Sequence, residues 1–180
     1  LSAGRECNSP RGLILSITKM TKDTEKVSAE KQYSDLKKKY KLPEFSELNR
    51  ELEASSIEET DFLLRAIARK ASEKLEFYAS LLEEALQPDT SNLYSMHEAR
   101  FFTQDDKNKM NQLYSKMMKL ARESIETSLD NTEENEAKFI LHFFSEWNNI
   151  KQELLVYVRK MKSSWNEDTD QEEEIAGYMG

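Results

Sequence analysis

Glycine is missing from the body of this chain. Its 180 residues include four glycines, and none of them lies between residues 13 and 176. Loops that cradle phosphate need glycine where the backbone closes on the ligand, so P-loop and dinucleotide-binding chemistry is excluded from that stretch. Proline is nearly as scarce, with Pro10, Pro43 and Pro88 the three present. Cysteine occurs once, as Cys7, so no disulfide can close within the chain. A lone thiol fits a reducing compartment, and with no base placed near it Cys7 reads as incidental rather than reactive.

Histidine is confined to His97 and His142. Metal sites in helical proteins commonly use Glu-x-x-His on two helices. The residues three places earlier are Tyr94 and Phe139, so no metal site is expected, and His142 is expected to pack among Phe139, Phe143 and Trp147. Long apolar runs are absent too. With no stretch of about 18 apolar residues, a transmembrane helix is not expected, and the chain reads as a soluble, cytoplasmic protein. An excess of positive charge is also lacking: 26 Lys and Arg stand against 34 Asp and Glu, a net charge of −8. Nonspecific binding to nucleic acid or to an anionic membrane needs a cationic surface, which argues against either as the main activity. No serine sits in a Gly-x-Ser-x-Gly elbow. Together these gaps lead to the expectation of a protein that is not an enzyme and carries no cofactor.

What the chain does hold is 38% apolar and 33% charged residues, a balance suited to amphipathic helices with wet outer faces. Tyr33, Leu36 and Tyr40 fall at helical spacing within a first charged helix over residues 26–40. Pro43 suits the first turn of a short second helix, which carries Phe45, Leu48 and Leu52 on one face. Ser56 and Glu59 form a capping-box pattern that opens a long third helix of roughly thirty residues, about 45 Å. Its stripe is Leu64, Ile67, Ala71, Leu75, Tyr78, Leu82 and Ala85, and Pro88 ends it. Residues 89–102 read as a loop with one helical turn near 92–98. Thr103 caps a fourth helix with Asp106 in the box position, and Met110, Leu113, Met117, Leu120 and Ser124 face inward with Ile125 beside them. After a break at Asp130 and Asn131, Thr132 caps a fifth helix whose stripe includes Ala137, Ile140, Phe144, Trp147, Leu154, Val158, Met161 and Trp165.

The fold class expected is all-α, an antiparallel bundle of three long helices with one or two shorter N-terminal helices and a disordered acidic C-terminal tail. Residues 20–165 form the domain. Residues 1–19 read as a disordered tail, a vector remnant or an over-extended gene start, because Met20 followed by Thr21, Lys22 and Asp23 makes a natural beginning. Residues 166–180 hold Glu167, Asp168, Asp170, Glu172, Glu173 and Glu174 with no Lys or Arg. Taking those six charges from the −8 of the whole leaves −2, so the body is nearly neutral.

Two groups of residues point toward partners. Tyr94, His97, Phe101 and Phe102 gather aromatic character in the irregular segment, where two adjacent phenylalanines cannot easily share one core. His97, beside Glu98, also has the chemistry of an acid or base, although such a residue is more often a polar loop position. Lys37, Lys38, Lys39 and Lys41, then Lys151, Arg159, Lys160 and Lys162, form two basic groups suited to phosphate, each diluted by acidic neighbours. Met110, Met117 and Met118 could line an adaptable groove, with core filling the plainer reading.

The strings at residues 41–49, 62–67 and 74–89, with 143–147 and 162–165, resemble small uncharacterised helical proteins of archaeal genomes. That resemblance implies an archaeal cytoplasm and supplies no activity, cofactor or site residue. A fainter likeness, in a helix over residues 64–86 followed by a loop and a helix opened by Thr103, is to the helical domain of GINS replication subunits, without their small β domain. The leading expectation is a non-enzymatic protein that binds a macromolecular partner, in the first place a protein, through residues 94–102. Self-association through an apolar helix face is a variant, and a nucleic-acid- or ribosome-associated role using the lysines is the alternative.

Overall fold

A computed structural model describes residues 30–58 and 60–178, with side chains through residue 166. Cys7 and the readings made for residues 1–19 and 26–29 lie outside the described residues. Among the described residues every regular element is a helix and there is no strand. The chain divides into two compact units, Leu1–Leu63 and Leu64–Gly180.

In the first unit, helix α1 covers residues 30–40 and α2 covers Phe45–Leu52, followed by a 3-10 turn over Ala54–Ser56. Tyr33 is buried, its hydroxyl donating to the Pro43 carbonyl at 2.8 Å and its ring 5.4 Å from Phe45. Burial, with Glu44 and Glu47 nearby, pushes the Tyr33 phenol well above its ordinary pKa. Pro43 stands just before the Glu44 N-cap rather than inside the first turn. Leu48 and Leu52 are buried as their spacing predicts.

A chain body without glycine must still end its helices, and it does so with non-glycine residues in the left-handed region. Lys41, Glu53 and Asn131 have φ of 56°, 52° and 55°. Beyond Lys41, the Leu42 amide returns to the Lys37 carbonyl, and the amides of Glu53 and Asn131 return to Asn49 and Thr127, satisfying carbonyls that a helix end leaves open. Asn tolerates this conformation; Lys and Glu carry the Cβ clash that glycine avoids. Glu53→Gly is therefore expected to stabilise the protein by about 0.5–1 kcal/mol, net of the entropy that glycine adds to the unfolded chain. A rise in the urea midpoint is the outcome to look for, and an unchanged or lower midpoint would count against this account of the turn.

In the second unit, α3 (Leu63–Leu86) starts later than the Ser56–Glu59 pattern suggests. Ser56 closes the 3-10 turn, Glu59 lies outside the described residues, and the Thr60 hydroxyl accepts from the Phe62 amide just ahead of the helix. The 24 residues span about 36 Å. Helix α4 (Leu93–Arg100) makes two turns where one was expected, because the Asn92 side chain accepts from the Tyr94 and Ser95 amides as an N-cap. Helix α5 (Gln104–Asp130) opens on the full Thr103–Asp106 capping box. Helix α6 (Glu133–Tyr178) comes next, with the Thr132 hydroxyl accepting from the Asn135 amide. It continues through residues 166–178, the stretch read from composition as a disordered tail, and no proline interrupts it.

Cross-helix contacts order these elements. Lys116 meets Glu146, Glu123 meets His142 and Asp106 meets Lys160, so α5 and α6 run antiparallel. Arg65 meets Glu136, and Tyr78 and Lys74 meet Trp147, so α3 and α6 run the same way. The buried residues of α5 are Met110, Leu113, Met117, Leu120, Ala121, Ser124 and Thr127, a three-four repeat that suits helices crossing at a shallow angle. On α6 the same repeat buries Ile140, Phe143, Trp147, Ile150, Leu154, Tyr157, Met161 and Ser164. This corrects the inward assignment of Phe144, which is half-buried, and of Val158 and Trp165, which are exposed.

Candidate partner-binding site

Helix α4 is held across α6 near residues 164–165. The Asn92 cap fixes where α4 starts, and its register then puts His97 against α6 with Tyr94 one turn before it. His97 is buried, with Nε2 3.3 Å from the Ser164 carbonyl oxygen. Its ring lies 4.6 Å from Trp165 and 5.1 Å from Phe101, while Tyr94 lies 5.7 Å from Trp165. The indole Nε1 of Trp165 donates to Glu98 Oε1 at 2.7 Å, which anchors the ring by its polar edge. Around this cluster Leu93 is 79%, Tyr94 71% and Trp165 41% exposed. Single exposed apolar residues are ordinary; several around one ring cluster make a patch.

Of the four expected aromatic-segment residues, Tyr94 and His97 therefore meet Trp165, and Phe101 joins the cluster through His97. Phe102 does not. It is buried, 6.3 Å from the Tyr157 ring, with Lys160 Nζ 5.6 Å from its own ring. Trp165 and Leu93 belong to the patch and were missed, Trp165 because its spacing from Met161 resembles a core position.

The lysine groups are less cationic than their sequence suggests. Lys37 pairs with Glu44, and Lys39 sits 4.7 Å above the Tyr40 ring, while Lys38 and Lys41 are exposed. All four belong to the first unit. In the second, Lys160 pairs with Asp106, Lys151 is half-buried, and Arg159 and Lys162 are exposed. The Lys160 ammonium, then the Thr103 hydroxyl and amide, hold the Asp106 carboxyl down at a pKa of about 2. Lys160 thus ties the start of α5 to α6 while its charge is matched by Asp106.

His142 is placed differently from its sequence reading. It faces outward instead of packing among Phe139, Phe143 and Trp147, and its Nδ1 lies 2.8 Å from Glu123 Oε2. Among the described residues no three His, Cys, Asp or Glu side chains are grouped as metal ligands would be, and no helix is long and apolar enough to cross a membrane. A polar cleft of about 400 Å³ between the end of α3 and the start of α5 is lined by Glu83, Gln87, Gln104, Lys107, Asn108 and Asn111 among others. It contains none of the expected site residues.

No protein-family model, no curated protein and no solved structure matches the chain, so the geometry of the aromatic cluster alone carries the functional reading.

Proposed function

We propose that this chain is a non-enzymatic helical-bundle protein that binds a protein partner through the aromatic end formed by α4 and Trp165. The observation that carries the reading is the exposure of Leu93, Tyr94 and Trp165 around buried His97. Rings of this kind give large contact area at low entropic cost, and tyrosine and tryptophan are enriched where protein interfaces concentrate their energy. The three long helices act as the scaffold, an antiparallel bundle in which α6 supplies both core and patch. Cytoplasmic placement belongs to the same proposal.

The test is affinity capture from a native lysate with the full chain and with a Leu93→Ser/Tyr94→Ser variant. Both side chains are largely exposed, so the variant is expected to fold as the parent does. A protein recovered stoichiometrically by the parent and lost with the variant is the expected result. Equal recovery by both would move the site elsewhere, and repeated capture of nothing would count against the reading as a whole.

A further inference from the structure

Rings elsewhere in this chain hold its own lysines. Lys39 lies 4.7 Å from the centroid of Tyr40, Lys74 4.6 Å from Trp147 and Lys160 5.6 Å from Phe102. Tyr94 and Trp165 are exposed, yet among the described residues no Lys or Arg lies over either ring. Their centroids are 5.7 Å apart and their planes are tilted by 43°. At that spacing one cation can lie about 4.5 Å from both centroids, within the range of a cation–π contact. Buried His97 closes its own side of the indole at 4.6 Å, so the exposed part of Trp165 is ring surface away from it. The Glu98 carboxylate, which accepts from the indole Nε1, stands at the edge of the same ring, and no Lys or Arg among the described residues pairs with it.

The charge continues in the same sense along α6. Past Trp165 the helix runs on to Tyr178 through six acids and no Lys or Arg. Positions 168 and 172 fall three and seven residues on, which places them on the side of the helix that Trp165 occupies. Bases are fewer and mostly turned away. Arg100 lies six residues from Tyr94 and Arg159 six from Trp165, each about 120° around its helix from the ring. Lys160 is matched by Asp106, which leaves Lys162, one turn before Trp165, as the base on its side. We infer that Tyr94 and Trp165, with Glu98 at their edge, dock an arginine-bearing basic segment of the partner protein, one guanidinium lying over the two rings and the neighbouring cations facing the acids of α6. This rests on the partner reading above and adds the partner's chemistry. A guanidinium suits the place better than an ammonium because its flat face stacks on a ring while its edge meets a carboxylate. Leu93, 79% exposed beside Tyr94, offers apolar surface to the aliphatic stem.

The probe is a fluorescein-labelled octapeptide of alternating arginine and serine, with citrulline in place of arginine in its neutral counterpart. Each is titrated with the full chain and read by fluorescence anisotropy. The arginine peptide is expected to bind, more weakly as salt is raised, and the citrulline peptide is not. Tyr94→Leu keeps apolar surface but removes the ring, and should weaken binding about three- to tenfold, whereas Tyr94→Phe should stay within about twofold of the parent. Tyr94 is 71% exposed, so both variants are expected to fold as the parent does. Glu98→Gln keeps an acceptor for the indole N–H and removes the charge. It should weaken binding about two- to fivefold, as should Asp168→Asn/Glu172→Gln, while Lys162→Gln should strengthen it. Equal binding of the two peptides, no binding of the arginine peptide up to about 1 mM, or binding indifferent to both Tyr94→Leu and Glu98→Gln would overturn the inference. A lysate partner lost with Leu93→Ser/Tyr94→Ser would, beside any of those results, leave the patch standing and remove only its basic ligand. Arginine-peptide binding that falls with Tyr94→Leu supports the inference even where lysate capture recovers nothing.

Discussion

Phe143→Ala is expected to destabilise the protein by about 3–5 kcal/mol, against about 1 kcal/mol for Phe144→Ala one position along the same helix. Phe143 is fully buried, stacked on Trp147 with centroids 5.4 Å apart and planes 15° from parallel, and edge-on to Phe144. Removing its ring forfeits apolar burial, leaves a cavity that the neighbouring helices fill incompletely, and strips Trp147 of its stacking partner. Phe144 is half-buried and its side reaches solvent, so truncation there can be hydrated. A domain of this size has about 5–15 kcal/mol of total stability, so the first variant should lose much of its cooperative unfolding transition and the second should keep it. Paired urea titrations read by circular dichroism decide the matter. A larger loss for Phe144→Ala would mean that α6 is rotated from the register described.

That pair also shows why a helix is easier to read than its orientation. Two rows compete on α6, sharing Ile140, Trp147, Leu154 and Met161 and differing by one residue in between. One adds Phe144, Lys151, Val158 and Trp165; the other adds Phe143, Ile150, Tyr157 and Ser164. Both begin with phenylalanine, so that end does not decide, and at the other end Trp165 against Ser164 favours the row that the structure leaves outside. Lys151 breaks the first row at its middle and Ile150 continues the second, and it is the second that the structure buries. The helix ends divide in the same way. Thr103 with Asp106 and Asn131 with Thr132 were legible because their hydrogen bonds span three or four residues. Ser56 with Glu59 has the same pattern, yet the chain spends Ser56 on a 3-10 turn and starts α3 at Leu63. Pattern alone cannot weigh a local cap against the packing of the helix beyond it.

The site was legible as a segment and not as a cluster. Tyr94, His97 and Phe101 stand out as aromatic residues between helices, but Trp165, the ring that joins Tyr94 to His97, lies more than sixty residues away in sequence. Its exposure depends on α4 crossing α6 at Ser164, a tertiary fact with no local signature. The lysines err in the opposite sense. Lys160 looks available beside Arg159 and Lys162, and the carboxylate that holds it, Asp106, comes from another helix 54 residues earlier in the chain. Adjacency in sequence overstates a basic patch wherever acids converge on it from other elements.

Cutting the Arg65–Glu136 pair on the arginine side is expected to cost about 3 kcal/mol, the largest single electrostatic effect in the second unit. Glu136 keeps only 6% of its side chain exposed, and Arg65 Nε donates to its Oε1 at 3.0 Å. Arg65→Ala would leave that carboxylate buried with its main cation gone, a penalty larger than the worth of the pair itself. Two features moderate it: the arginine side chain is 39% exposed, so water can approach, and Glu136 lies in the first turn of α6, where the helix dipole favours negative charge. The double variant Arg65→Ala/Glu136→Gln discriminates between explanations. If the loss arises from a stranded charge, removing that charge should return about half of it; if Arg65 acts by packing its aliphatic stem, the second substitution should return nothing. Denaturant unfolding of the four members of this cycle at neutral pH measures the difference directly, and because the pair joins α3 to α6, it also reports whether those two helices unfold as one unit.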